Sequence, residues 1–430
     1  MKADPRNLYR DMEYLTNTIG IRLAGSANEH AAAEYLRSRF LEYCPKCVIE
    51  EFPVQESRID KVDLQMRMNG KWESFPAFSF NCAPTTEGRT LEAEVVLFDS
   101  HTDFQREDIS FVAGKAVLML GLDFPTEDDY RRMMETRPAF LMLVDTRHDG
   151  SVPLGDGLYP AFVQSYGALP TVNVAYFDAW KWLSGKADRA KLTISGRLAP
   201  SMSTNVVAEL PGTDPNGKVI YFGGHHDTQA GTPGADDNAV GCAIVVELAR
   251  LLSQKPHRNT MRLICFGAEE QLSMGSSAYV RMHRDEIEKN GLFMCNFDSC
   301  GSRLGWNTFD TNLNDDLSSG IREIFHKDDV WYMEERGLDP YNDLFPFTAA
   351  GLPGMALLRP NTETGLYYHH RADNNMDVID AELTAKLTTA AYDVIEALDA
   401  GRLGCDISRD PRKNEEVNEL WQSVFGGWKI

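Results

Sequence analysis

Five short segments of the 430-residue chain place histidine or carboxylate side chains at or just beyond an apolar run. They are Gly223-Gly224-His225-His226-Asp227, Gly234-Ala235-Asp236-Asp237-Asn238, Gly267-Ala268-Glu269-Glu270, Asn296-Phe297-Asp298 and Tyr367-Tyr368-His369-His370. Imidazole and carboxylate groups that converge on one sheet edge would bind two divalent metals and leave one carboxylate to transfer protons. The pattern therefore predicts a hydrolase site.

Buried parallel strands would position these segments. Residues 219–222, 263–266 and 293–297 are near-continuous apolar runs, which are typical of strands buried on both faces of a sheet. Residues 238–252 and 276–286, which lie between them, have the pattern of helices. This alternation predicts an α/β fold with a doubly wound, mostly parallel sheet and helices on both faces. In such sheets, sites form beyond the carboxyl ends of the strands.

Each segment taken alone has an ordinary structural explanation. The Gly-His-His-Asp segment could form a turn, and the paired glutamates could be the solvated first turn of a helix. The other carboxylates could be helix caps or turn formers, and the two final histidines could lie on the surface. All five would then have to occur by accident, in order, at successive strand ends. The set is therefore interpreted as one site.

In the order His-x-Asp, Asp, Glu-Glu, Asp, His, these residues resemble the signature of the M28 metallopeptidases. That family comprises co-catalytic zinc aminopeptidases and their carboxypeptidase relatives. The resemblance covers residue 202 to about residue 378. Residues 23–29 and 33–36 look like the family's opening Gly-Ser turn and first helix, and residues 345–353 resemble the stretch before its last core strand. The fold implied is that of the zinc exopeptidases.

The resemblance implies a set of ligands for two divalent ions, for which zinc is the expected metal. Carried over residue by residue, these ligands are His225, Asp237, Glu270, Asp298 and His369, with Asp237 bridging both ions. Asp237 is preferred to Asp236 because it stands four residues before a helix glycine, Gly241, as the family's bridging aspartate does.

The two histidine pairs require a choice of the same kind. His225 is preferred to His226 because the His-x-Asp pattern needs Asp227 two residues on. His369 is preferred to His370 because the family's ligand stands four residues before an acid, here Asp373.

The catalytic groups also follow from the resemblance. Two ions ~3.5–4 Å apart would lower the pKa of a shared water towards ~7. Glu269, unliganded by analogy, would accept the water's proton and pass it to the leaving amine. Asp227 would orient the imidazole of His225. Tyr368 would either donate a hydrogen bond to the developing oxyanion or be a buried aromatic with a satisfied hydroxyl.

Three residues are candidates for substrate binding. Asn342 and Asp343 occupy a stretch that helps to form substrate pockets in the family, although a loop cap explains them equally well. Arg371 is the one cation beside the matched motifs that could bind a free carboxylate. No arginine cluster accompanies it, so we expect an exopeptidase that releases N-terminal residues from short peptides. Carboxypeptidase or dipeptidase activity is the alternative.

Two other functions stay open at this stage. The related glutaminyl cyclases use one zinc ion, and the same fold also serves as a non-catalytic binding protein. The complete set of ligands together with Glu269 favours an enzyme with two metals.

Composition narrows the partners and the compartment. The formal charge is −21 and no basic run occurs, which argues against binding nucleic acid or an anionic membrane. No apolar signal segment and no transmembrane run is found. Eight cysteines are too few for a disulfide scaffold, and the isolated Cys44-x-x-Cys47 pair is interpreted as two incidental thiols. A cytoplasmic location is predicted, and a homo-oligomer stays open.

The middle of the chain changes character. Residues 58–192 contain short apolar runs separated by turn-forming residues and carry none of the ligand segments. This stretch resembles the protease-associated domain, a β-rich insertion that would cover the cleft, with an unrelated α/β lid as the alternative. We therefore predict a discontinuous catalytic domain, residues 1–57 and 193–430, interrupted by a lid at residues 58–192.

Overall fold

The computed structural model of the chain describes residues 1–430 apart from 122, 123, 125, 147–149, 151, 338, 404, 405 and 430. It divides into two compact units, Met1–Val54 with Met202–Ile430 and Gln55–Ser201. The strands are β1 (Lys46–Met68), β2 (Lys71–Phe75), β3 (Ala77–Ser79), β4 (Leu91–Asp99), β5 (Ala116–Leu120), β6 (Phe140–Val144), β7 (Thr171–Val174), β8 (Arg189–Leu210), β9 (Val219–His225), β10 (Thr260–Phe266), β11 (Gly291–Phe297), β12 (Thr308–Thr311), β13 (Met333–Glu335) and β14 (Gly354–Leu358).

The α-helices follow the same chain order. They are α1 (Pro5–Glu13), α2 (Ala27–Phe40), α3 (Glu127–Thr136), α4 (Pro160–Tyr166), α5 (Tyr176–Ser184), α6 (Val240–Leu252), α7 (Met274–Met282), α8 (Arg284–Asn290), α9 (Asp315–Lys327), α10 (Leu344–Ala349), α11 (Ala381–Asp399) and α12 (Asn414–Ser423). Two short turns matter for the site, an irregular helical turn at Ala235–Ala239 and a 3-10 turn at Glu269–Gln271.

The first unit contains the predicted sheet. Strands β14, β11, β9 and β10 are parallel neighbours, while β8 and β12 pair antiparallel at its two sides. Every residue of β9 is buried. Its side chains alternate between two apolar clusters, with Ile220 and Phe222 in one and Val219 and Tyr221 in the other. The mostly parallel α/β sheet expected from the sequence is confirmed.

Helices cover both faces of this sheet. Residues of α1, α2, α6, α9 and α11 belong to one cluster, and residues of α7, α8 and α10 belong to the other. Helix α6 follows β9 and is buried at every position except Arg250, as its almost wholly apolar sequence predicts. The helices therefore hold the central strands at a fixed depth between two packed layers.

The carboxyl ends of the central strands are level with one another. His225, the last residue of β9, is opposite Phe266, the last residue of β10. In β11, Asn296 is opposite Gly223 of β9, and the neighbouring Phe297 is opposite Leu357 of β14. Segments that follow these ends therefore reach the same edge of the sheet, as a doubly wound topology requires.

The second unit contains a second set of parallel strands. Strands β4, β5, β6 and β7 are parallel neighbours, and β3 adds antiparallel to β7. Helix α3 connects β5 to β6, and α4 connects β6 to β7. The unit is rich in strands, as expected, and also carries helices between them. Its identity as a protease-associated domain stays a prediction.

Two further observations bear on the sequence analysis. The seven cysteines among the described residues are free and buried, Cys44 and Cys47 included. Within the described part of the chain, no helix combines the length and the apolar character needed to cross a membrane.

Candidate metal centre and active site

The imidazole of His225 lies among carboxylates. Its Nε2 is 3.2 Å from Oδ1 of Asp237 and 3.6 Å from Oδ2 of Asp298. The same nitrogen is 3.8 Å from Oε2 of Glu269. These groups come from the ends of β9, β10 and β11 and from the turn before α6. The structure therefore brings together four of the segments that the sequence singled out.

Asp237 connects this cluster to the last histidine segment. Its Oδ2 lies 3.6 Å from Nε2 of His370 and 4.0 Å from Nδ1 of His369. The Nε2 of His370 is also 2.9 Å from Oε2 of Glu270. Two groups of potential ligand atoms, each within 4.8 Å, therefore share Asp237. One consists of His225, Asp237 and Glu270, and the other of Asp237, His369 and His370.

Asp227 holds the two glutamates in place through their backbone. Its Oδ1 accepts a hydrogen bond from the Glu269 amide at 2.9 Å, and its Oδ2 accepts one from the Glu270 amide at 3.1 Å. The same Oδ1 lies 3.4 Å from Nδ1 of His225, which is the contact expected of a residue that orients this ring. The preceding residue, Ala268, has φ 50°, which turns the chain sharply after β10.

The electrostatics of the site reflect buried acids in close proximity. Burial raises the pKa of Glu269 well above its usual value, and the neighbouring Asp343 and Asp298 add to the rise while His225 opposes it. Burial likewise raises the pKa of Glu270 to about 7, opposed by His370. Burial lowers the pKa of His225, but the surrounding carboxylates, Asp298 foremost, outweigh it and raise that pKa above its usual value.

A divalent cation fits this arrangement. Among the described residues, both ring nitrogens of His225 and Oε1 of Glu270 are buried and have no hydrogen-bond partner. Buried polar atoms normally have a partner, and several buried carboxylates repel one another unless a cation compensates them. Mixed imidazole and carboxylate donors suit zinc. The residues present therefore fit a divalent cation, and which of them bind it stays a prediction.

The structure adds information on whether His369 or His370 is the metal ligand. The sequence favours His369 because Asp373 follows four residues later, yet Asp373 is exposed. The next residue, Asn374, is fully buried, and its Oδ1 accepts a hydrogen bond from the Asp236 amide at 2.8 Å. Asn374 stands four residues after His370. The ligand role of His369 stays a prediction, and the distances support His370 as its competitor.

Tyr368 is committed to another partner. Its hydroxyl donates a hydrogen bond to Oδ2 of Asp236 at 2.9 Å, and the backbone amide of Gly301 donates to Oδ1 of the same carboxylate at 2.6 Å. This contact supports the reading of Tyr368 as a buried aromatic with a satisfied hydroxyl. A role for it at the oxyanion stays a prediction.

The three substrate-binding candidates have different surroundings. Asn342 caps a loop, since its Oδ1 accepts from the Leu344 amide at 2.9 Å and its Nδ2 donates to Asp310 at 3.3 Å. Asp343 is fully buried, and its pKa is raised to about 7 by burial, against the opposing effect of nearby His225. The charge of Asp343 therefore interacts with the site, whereas the side chain of Asn342 forms hydrogen bonds that stabilise its loop.

Arg371 is a buried cation that uses only part of its hydrogen-bonding capacity within the described structure. Its Nη1 donates to the carbonyl of Tyr367 at 3.1 Å, and its guanidinium lies 5.7 Å from the centre of that ring. Within the described structure, its Nε and Nη2 are buried without a hydrogen-bond partner.

Sequence reasoning missed the side chains behind the ligands. Asn238 donates from Nδ2 to the carbonyl of Phe297 at 2.8 Å and accepts at Oδ1 from the Gly241 amide at 2.8 Å. It therefore ties the turn that carries Asp237 to both β11 and α6. Neither its residue type nor its spacing distinguishes it from an ordinary helix cap.

Fold and site together define a metal-dependent hydrolase. Residues 205–395 match the model of peptidase family M28. The likeness to this family lies in the segment that carries the candidate site, and the chain is a metallopeptidase.

Individual proteins are similar over most of their length. Aminopeptidase YwaD of Bacillus subtilis is 23% identical over 411 residues, which cover 91% of this chain and 85% of the relative. Carboxypeptidase Q of Rattus norvegicus is 24% identical over 407 residues, which cover 86% of this chain and 81% of the relative. Both alignments include the second unit as well as the catalytic one.

Among solved structures, BSAP, a zinc aminopeptidase from Bacillus subtilis, superposes with a TM-score of 0.74 at 20% identity. The match covers 91% of this chain and 94% of that one. A peptidase M28 precursor from Shewanella amazonensis gives a TM-score of 0.76 at 18% identity, covering 94% of each chain. At these identities the likeness establishes the fold.

Proposed function

We propose that this protein is a two-metal aminopeptidase that releases N-terminal residues from short peptides. The observation that carries the proposal is the pair of ligand groups sharing Asp237, with Glu269 beside them. His225, Asp237, Glu270, Asp298 and one of the paired histidines would hold two zinc ions. Bound there, such ions lower the pKa of a water molecule and polarise the scissile carbonyl.

The protein's own groups handle the protons. Glu269 has its backbone fixed by Asp227, and its Oε1 accepts from the hydroxyl of Ser273 at 3.1 Å. Oε2 faces the cluster, 3.8 Å from Nε2 of His225. This oxygen would accept the proton of the attacking water and deliver it to the departing amine.

Asp343 is the proposed recognition group for the substrate's α-amine. It is a buried acid whose charge influences the pKa of Glu269 and is itself influenced by His225, and a protonated amine would pair with its carboxylate in a charge-assisted hydrogen bond. Binding the amine end near the metals restricts cleavage to the first peptide bond. Tripeptides with free, N-acetylated and C-amidated ends test this assignment directly.

We expect acetylation of the N-terminus to reduce kcat/KM more than ~100-fold, because it leaves a buried carboxylate unpaired. Amidation of the C-terminus should change it by less than about threefold. Asp343→Asn should narrow the gap between free and acetylated substrates, and Asp310→Asn, a buried acid that contacts Asn342, is the matched control.

A second candidate, carboxypeptidase activity, is favoured by one observation. Arg371 has two buried donor nitrogens without a partner in the described structure, and such a guanidinium can bind a carboxylate in a bidentate manner. Tolerance of the acetyl group combined with intolerance of the C-terminal amide would contradict the aminopeptidase proposal. Arg371→Lys would then be expected to raise KM, because the substrate's carboxylate would be bound less tightly.

We further propose a cytoplasmic location, which the seven free described cysteines support. Cell fractionation with an antibody against the chain tests this location.

A further inference from the structure

Arg22 is a buried arginine behind the metal site. Its side chain is fully buried, and its guanidinium donates to backbone carbonyls. Nε donates to the carbonyl of His226 at 2.7 Å, Nη2 to that of Gly234 at 3.0 Å and Nη1 to that of Pro233 at 2.8 Å. Nη1 also lies 3.0 Å from the carbonyl of Leu15 and 2.8 Å from that of Gly20.

The contacted carbonyls flank the connection between two proposed ligands. His226 directly follows His225, and Gly234 stands three residues before Asp237. The backbone of Arg22 adds two hydrogen bonds to Thr228, near the start of this connection. Its amide donates to Oγ1 of Thr228 at 2.9 Å, and its carbonyl accepts from the Thr228 amide at 3.2 Å.

The far end of this connection has little room to move. Gly234 has φ 64°, and a Cβ built on it would lie 2.4 Å from the carbonyl oxygen of Asp237 and 3.1 Å from Nη2 of Arg22. A displacement of the guanidinium is therefore transmitted to the backbone that carries the bridging aspartate, because close-packed interiors do not absorb such shifts.

Burying the charged guanidinium of Arg22 has a desolvation cost. Burial lowers the pKa of Arg22 to about 10, opposed by the negative groups nearby, which include Asp227, Asp237 and Glu270. The guanidinium thus stays charged at neutral pH. Its planar fork serves carbonyls on several sides at once, which the single ammonium of a lysine cannot do.

We propose that Arg22 is a positioning residue for the metal centre, fixing the His226–Gly234 connection so that His225 and Asp237 are presented to the metal together. This inference rests on the proposed metal site and assigns a residue outside the ligand segments to it. Mutation of residues that hold metal ligands in place typically weakens metal affinity about 10–100-fold.

The test compares Arg22→Lys with Arg39→Lys in the full-length protein. Arg39 is also a buried arginine, but its Nε pairs with Asp11 at 3.0 Å in the contact between α2 and α1, away from the ligands. Zinc affinity is measured by competition with a chromophoric chelator, and the melting temperature of the metal-free protein is recorded for each variant. The parent's zinc binding tests the proposed site itself.

We expect Arg22→Lys to bind zinc 10–100-fold more weakly than the parent, with most of kcat recovered at saturating zinc. Arg39→Lys should lower the melting temperature of the metal-free protein and leave zinc affinity within twofold. Zinc affinity within twofold of the parent in Arg22→Lys would overturn the inference and leave the metal site intact. A parent that binds no zinc would instead overturn the proposed function.

Should Arg22→Lys fail to fold, Thr228→Val decides the question. It removes the acceptor of the Arg22 amide with little change of volume. A fall in zinc affinity of threefold or more is expected, and an affinity equal to that of the parent would overturn the inference.

Discussion

At the scale of the residue, the adjacent acids Glu269 and Glu270 divide two tasks. Asp227 accepts hydrogen bonds from both of their amides, so their backbone is fixed while their side chains diverge. Glu270 pairs with His370, and Glu269 is held by Ser273 beside His225. The sequence predicts that one of the pair binds metal and the other moves protons, but only the contacts indicate how the two are kept apart.

Replacing Glu269 by Gln should separate chemistry from metal binding. The amide keeps the size and the hydrogen bond from Ser273 but cannot accept a proton, so kcat should fall on the order of 10²–10⁴-fold while metal content stays at the parent level. Asp237→Ala is the contrasting variant and should lose metal and activity together. Elemental analysis and steady-state kinetics provide the measurements. Parental kcat in Glu269→Gln would mean that another group is the base.

The paired histidines make a second prediction at this scale. Because Nε2 of His370 is nearer to Asp237 than Nδ1 of His369, and also contacts Glu270, His370→Ala should weaken zinc binding more than tenfold. His369→Ala, with its more exposed ring, should weaken it less than threefold. Zinc titration of the two variants decides between them. The reverse order would support the sequence-based assignment of His369.

At the scale of the element, the strand ends were predictable and the turns were not. Near-continuous apolar runs identify β9, β10 and β11 because strands buried on both faces leave no polar position. The turn Ala235–Ala239 gives no such signal, since its shape depends on Asn238, Phe297 and Gly241, which are distant in sequence or ordinary in type. The spacing rule that favours His369 over His370 depends on a turn of the same kind, so that choice stays a prediction.

Helix α6 approaches the strands closely, and Gly241 makes this possible. A Cβ at this position would lie 2.2 Å from the carbonyl oxygen of Phe297 and 2.5 Å from Oδ1 of Asn238. Gly241→Ala should therefore push α6 outward, destabilise the fold by about 1–3 kcal/mol and weaken metal binding. Gly337→Ala, where a Cβ meets nothing within 4 Å, is the control. Unaltered melting and metal affinity in Gly241→Ala would contradict this packing argument.

At the scale of the whole molecule, the fold buries several carboxyl groups whose ionised form is unfavourable without a compensating cation. Burial raises the pKa of Asp236 and of Glu270 to about 7 and that of Glu29 to about 8. Asp236 lies in the Ala235–Ala239 turn and Glu270 is a proposed ligand. Glu29 is hydrogen-bonded to the hydroxyl of Ser203 and to the amide of Gly25, the latter at 2.7 Å. The net charge of −21 adds a general repulsion that protonation relieves.

The stability of the metal-free protein should consequently fall as pH rises. In the unfolded chain these acids titrate near 3.8 for Asp and 4.5 for Glu, whereas in the fold they retain protons up to about 7 or 8. Between those limits the folded state binds more protons, so the free energy of unfolding decreases as pH rises from about 4 to about 8. Zinc would displace the proton of the proposed ligand Glu270 and compensate the charge of its acidic neighbours, so the loaded protein should lose part of this dependence. Melting temperatures in excess chelator and in excess zinc, recorded from pH 5 to pH 8.5, measure both slopes. A metal-free melting temperature that is flat or rises over this range would show that the acids are not protonated in the fold, and the case for a cation-requiring cluster would lose its energetic basis.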